Sequence, residues 1–202
     1  MIKMLALTGG ALTIAAVGAA YAWSVSSVET PNYRVDRSDG DFEIRTYPAM
    51  ALAQVRRLGS RQSAVGQSFR PLAGYIFAKE RAGDKIAMTA PVVQSAAEDG
   101  WTVSFILPAP LTADTAPAPA GDVQIIDQPE RTMAAIRFSG SWSDAKFEEA
   151  SQRLQAWVER QGLEAQGGFE YGYYNDPFTP AFMRRNEVMV PILRKLDGRK
   201  IG

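Results

Sequence analysis

The chain has 202 residues, 46% of them hydrophobic and 22% charged, with 22 basic and 22 acidic side chains. That length and composition suit one large globular domain or two small ones, and the balanced charge provides no basic field to attract nucleic acid. Cysteine and histidine are both absent, which excludes disulfides, Cys/His zinc sites, thiol nucleophiles and a histidine general base.

Residues 1–28 read as a signal peptide or an N-terminal membrane anchor. Lys3 is followed by no charged residue until Glu29. Ala20-Tyr21-Ala22 has the small-x-small spacing of a secretory cleavage site, with the cut after Ala22. The uncharged run through residues 4–28 is also long enough for an uncleaved anchor, although its Gly, Ala and Thr content makes a weak span. Lys3 stays cytoplasmic in either case. The body, residues 29–202, is therefore expected to be exported: periplasmic, or anchored in the inner membrane and facing the periplasm.

Beyond Thr30 the pattern is α+β. "YRVDR" and "FEIRTY" alternate apolar and polar residues around the turn "SDGD", a hairpin signature. "MALAQVRRL" predicts a third strand. "SRQSAVGQSFRPLAGYIFAKE" places Val65, Phe69, Leu72 and Ile76 at helical spacing, with Pro71 expected to kink the helix or to open a new first turn. "KIAMTAPVVQ" and "WTVSFILP" are strand-like. The Pro/Ala tract "APLTADTAPAPAGD" reads as a connector that packs no core. "DVQIID" and "TMAAIRFSG" are strands again, and "SDAKFEEASQRLQAWVERQG" is an amphipathic helix stopped at Gly162. "FEYGYY" and "EVMVPIL" close the series.

The second half repeats the plan of the first. Pro48 to Ser60 lies over Pro129 to Ser141 without a gap, with identities at Pro48/Pro129, Ala53/Ala134, Arg56/Arg137, Gly59/Gly140 and Ser60/Ser141. The same offset lays Ala73 over Leu154 and Ile76 over Trp157. This predicts a duplicated β-β-α-β-β unit, with repeats at about 42–107 and 122–193, packed as one domain because either unit alone leaves a sheet face bare.

That duplicated plan, with "KIAMTAPV" after the first helix and "YYNDPFTPAFMRRNEV" near the end, resembles the SOUL haem-binding family. The resemblance spans Glu29 to Leu193. It implies a distorted antiparallel β-barrel with two flanking helices, similar to the bacterial GyrI-like ligand-binding domains. The ligand it implies is haem or another tetrapyrrole, bound non-covalently. In the animal members the pocket is attributed to the first helix and the neighbouring sheet, with no obligatory histidine. This chain departs from them along that helix, offering Phe69, Ala73 and Gly74 where they carry Met and basic residues.

The candidate ligand residues follow from what a macrocycle needs: a wide apolar slot, cations for its acidic groups and, optionally, an iron ligand. Phe69, Leu72, Ala73 and Ile76 are candidates for one wall, and equally for plain core. Met88 is either a soft contact to a porphyrin or a core filler. Tyr171 and Tyr173 are candidate phenolate ligands or ordinary cross-strand packing. Arg184 and Arg185 are expected first to lock the loop, through Glu187 or loop carbonyls, and only then to meet a ligand carboxylate. No nucleophile elbow, phosphate loop or metal spacing is present. The expected role is binding, as carrier, buffer or sensor. The alternatives are an envelope module for another amphipathic small molecule or a protein partner, and a small GyrI-like hydrolase working through Glu170.

Overall fold

The computed structural model describes residues 28–79 and 81–193, so all of the expected export or anchor segment but Val28 lies outside the described residues. Ten strands form one antiparallel sheet: β1 (Arg34–Asp39), β2 (Phe42–Tyr47), β3 (Met50–Arg57), β4 (Val92–Ala97), β5 (Gly100–Ile106), β6 (Gln124–Gln128), β7 (Arg131–Phe138), β8 (Glu164–Ala165), β9 (Glu170–Tyr173) and β10 (Asn186–Leu193). Helix α1 (Arg61–Ile76) lies between β3 and β4, and α2 (Asp144–Arg160) between β7 and β8. The α+β class, the large antiparallel sheet and the two helices agree with expectation.

The spatial order is β1-β2-β7-β10-β9-β4-β5-β3-β6, with β8 added beside β10. Each half gives its first strand to the other: β2 pairs with β7, and β6 pairs with β3. From β2 to β6 the order reads the same from both ends if the halves are exchanged. The barrel expectation is corrected here, because the sheet is open and its edges β1 and β6 do not pair with each other. Both edges are polar: β1 reads RVDRSD and is exposed throughout, and β6 reads QIIDQ. Charged side chains on an edge discourage further pairing.

Both helices pack on one face of this sheet. The register lays Phe138, Asn186, Tyr173, Val92, Phe105 and Ala53 in one row across β7, β10, β9, β4, β5 and β3. Paired residues point to the same side. On that side α1 buries Leu72, Tyr75 and Ile76 against Val55, Val103 and Phe105, while α2 buries Phe147, Leu154 and Trp157 against Ile136, Val188 and Val190. Serine caps start both helices: Ser60 accepts from the Ser63 amide, and Ser143 from the Lys146 amide. The gapless alignment pairs β3 with β7, but it sets Ser60 over Ser141 rather than over the second cap, so it does not carry through the helices.

Three local expectations change. Helix α1 runs through Pro71 as one element. The strand expected over 85–94 starts only at Val92; Lys85 to Pro91 is irregular apart from a bridge between Glu29 and Thr89. The Pro/Ala connector also packs: Leu111 and Ala116 lean on the α1 core, and Tyr75 Oη donates to the Pro117 carbonyl at 2.8 Å.

Candidate functional site

Between the edge of α1 and the sheet lies an apolar cleft of about 370 Å³. Val65 and Phe69 line it from α1, Met88, Thr89 and Ala90 from the irregular stretch before β4, and Val92, Val103 and Phe105 from the sheet. Phe69 meets Phe105 edge-on with ring centres 5.6 Å apart. Trp142, Tyr173 and the loop Tyr174–Pro177 complete the wall. The cleft is open, and Phe69 and Phe77 at its margin remain 50% and 40% exposed. Its volume lies in the lower part of the range for small-molecule sites, roughly 300–1,000 Å³, so a larger guest would project past these two rings.

The helix contributes a different stripe from the one expected. Leu72 and Ile76 are fully buried in the α1 core and Ala73 is buried beside them, whereas Phe69, with Val65 one turn earlier, faces the cleft. Met88 lies on the cleft wall, so the MTAPV stretch borders the site. Thr89 is fixed there by donating to the Ile106 carbonyl.

Of the two candidate tyrosines, only Tyr173 reaches the cleft. Tyr171 packs between Trp101 and Phe147. Tyr173 Oη accepts from Arg61 Nη1 and donates to Gln94 Oε1 at 2.8 Å, and Gln94 Nε2 donates to the Arg61 carbonyl at 2.8 Å. Burial pushes the Tyr173 phenol up to about 12, although the Arg61 charge acts the other way. A phenol so held stays protonated at neutral pH and is a poor iron ligand in that state. Among the candidates, Met88 is the soft donor on the wall.

The arginines are committed to the loop. Arg184 Nε donates to the Thr179 carbonyl and Nη2 to the Pro177 carbonyl, each at 2.8 Å, with its guanidinium 4.2 Å from the Trp142 ring centre. Arg185 pairs with Glu187 at 2.7 Å and stacks 3.8 Å from the Tyr174 ring centre. Asn175 Oδ1 accepts from the Arg185 amide at 2.6 Å, and Asp176 Oδ1 accepts from the Phe178 amide at 2.7 Å. Cleft-lining residues are thus positioned by polar bonds on their outer side.

A cation absent from the expectations lies next door. Arg61, the first residue of α1, is buried against Phe147 and holds Asp144 and the Trp142 carbonyl. It lines a second hollow of about 350 Å³ that shares Val65, Trp142 and Tyr173 with the cleft. No motif marks Arg61; only the packing of α1 against the start of α2 reveals it. Glu170 is held by both guanidinium nitrogens of Arg131 and does not line the cleft, so no carboxylate base is placed there by it.

Comparisons with known proteins follow the geometry. The EcmrR C-terminal domain superposes with a TM-score of 0.60 at 15% identity, over 80% of this chain and 98% of that one. A hydrolase from Listeria innocua superposes at 0.53 and 15% identity, over 78% and 94%. At those identities the likeness concerns the fold. In sequence, mouse (Mus musculus) heme-binding protein 2 is 29% identical over 175 residues, 80% of this chain and 85% of that protein. The family model described as SOUL heme-binding protein matches residues 28–191, and the chain belongs to that family.

Proposed function

We propose that this protein binds haem or a related tetrapyrrole non-covalently in the cleft beneath α1, as a carrier, buffer or sensor on the exported side of a membrane. The observation that carries the reading is an open apolar slot walled by Val65, Phe69, Met88 and Phe105 in a chain of the SOUL family. Burial of the macrocycle against these side chains would supply most of the affinity. Arg61, Arg184 and Arg185 all border the site but are held by protein partners, so a propionate would compete with Asp144 for Arg61 in the adjoining hollow. The palindromic strand order supports an origin by duplication of a β-β-α-β-β unit.

The test is a hemin titration of the full chain in detergent micelles, followed by its Soret band. The expected result is a saturable shift near one equivalent, with Met88→Ala moving the band. A folded protein showing no saturable shift would remove the tetrapyrrole reading and leave a binding module for another amphipathic molecule. Sequencing the N-terminus of the cell-made protein decides export processing: cleavage gives a chain starting near Trp23.

A further inference from the structure

Among the described residues eight large hydrophobic side chains are exposed, and five of them border the cleft or its loop: Phe69, Phe77, Phe178, Phe182 and Met183. Phe178 and Phe182 are 89% and 79% exposed. Aromatic rings left in water on a mobile loop would carry little meaning, but this loop is pinned. Asp176 bonds the Phe178 and Thr179 amides, Arg184 holds the Pro177 and Thr179 carbonyls, and Gly140 N donates to the Ala181 carbonyl at 3.0 Å. Every one of these bonds ties the loop to itself or to the body, and the rings are left standing outward. Large apolar side chains held outward on a pinned loop beside a cleft mark an interaction site.

The chain itself indicates what lies against this patch. Val28 lines the cleft, and Glu29 is fastened immediately after it: its carbonyl accepts from the Ala90 amide at 2.8 Å, and its carboxylate from the Ala109 amide at 3.4 Å. Val28 is the last residue of the uncharged run 4–28, so that run meets the domain at the cleft wall. The run matches in length the about 20 residues a bilayer-spanning helix needs, although its Gly, Ser and Thr content makes it a weak span. A membrane holding it would meet the domain at Val28, on the wall of the cleft that Pro177, the residue before Phe178, also lines.

We propose that the cleft opens onto the membrane: Phe178, Phe182 and Met183 rest in the interfacial layer of the bilayer that holds residues 4–28. Amphipathic surfaces bind there by burying apolar side chains at the headgroup boundary. The occupant is a lipid surface; a second copy of the chain is the competing outcome.

The absence of native cysteine makes the test direct. Phe178→Cys, Phe182→Cys and, as a control on the exposed edge strand β1, Ser38→Cys are each made in the full chain by cell-free synthesis into vesicles of phosphatidylcholine and phosphatidylglycerol. Each is labelled with nitrobenzoxadiazole. The expected result is a blue shift and several-fold quenching by doxyl-labelled phosphatidylcholine at 178 and 182, with neither at 38. Equal response at all three positions, no quenching at any, or chain that fails to sediment with the vesicles overturns the proposal. So does a blue shift at 178 that grows with protein density without doxyl quenching, which assigns the patch to a second copy. All three substituted positions are exposed, so folding is not at stake, and circular dichroism verifies it. Hemin is absent from every arm, so the outcome is independent of the tetrapyrrole reading.

Discussion

Arg45 on β2 and Glu187 on β10 form a two-point ion pair on the sheet face opposite the helices, Nη1 to Oε2 at 2.7 Å and Nη2 to Oε1 at 3.1 Å. Both side chains are buried, and Arg185, Tyr174 and Tyr47 close the network around them. Breaking such a pair from one side leaves an uncompensated buried charge, at a cost of about 3–5 kcal/mol. Glu187→Ala is expected to lose that much in urea denaturation. The double variant Arg45→Met/Glu187→Leu, which removes both buried charges at similar volume and leaves only the part-exposed Arg185 and Glu43 without these partners, is expected to lose less.

The same pair sets an acid limit. Burial alone would raise the Glu187 carboxyl, but the hydrogen bonds and charges of Arg45 and Arg185 outweigh it and hold the group below its ordinary value. A carboxyl depressed in the folded state contributes stability that is present above the unfolded value and lost as pH falls through the folded one. Unfolding free energy measured against pH should therefore fall on the acid side, and Glu187→Gln should flatten that fall.

The alkaline side carries the opposite sign. Burial pushes the phenols of Tyr47 and Tyr173 up to about 12, and that of Tyr174 well above its ordinary value. For a raised phenol the stabilising contribution is whole below the unfolded value near 10 and disappears as pH rises through the folded one. Tyrosinate absorbance should show these side chains ionising late, together with loss of structure between about pH 10 and 12. Tyr173→Phe should remove part of that late step.

Core and cleft on α1 separate by mutation. Leu72→Ala empties a fully buried position and is expected to cost about 2–5 kcal/mol of stability while leaving hemin affinity per folded molecule unchanged. Phe69→Ala, at a half-exposed position on the cleft wall, should do the reverse: a small stability change and an affinity loss of about 1–2 kcal/mol. Equal effects of the two substitutions on hemin binding would show that the cleft is not the site.

The loop depends on Arg184. Its removal frees the Pro177 and Thr179 carbonyls and uncovers Trp142. Arg184→Ala is expected to cost about 1 kcal/mol, with faster amide exchange confined to residues 177–183.

Element types were legible from sequence because they rest on local physics. Alternation marked "FEIRTY", helical spacing marked α1 and α2, and the expectation that Arg184 and Arg185 lock the loop rested on the nearby Glu187 and loop carbonyls. The choice between wall and core on α1 was not legible. Val65 and Phe69 form one apolar stripe and Leu72 and Ile76 another beside it, and helical periodicity does not say which stripe meets the sheet.

By itself, then, the amino-acid sequence determined the α+β class, the order of elements and a chemistry without thiols or imidazoles, all properties of composition and near neighbours. Tertiary structure alone decided that β2 crosses to β7 and β6 to β3, that the sheet stays open between polar edges, and that Val28, Met88 and Trp142 meet around one cleft. Strand partners and cleft walls are chosen by the burial of whole faces against each other, a sum over residues far apart in the chain that no local pattern contains.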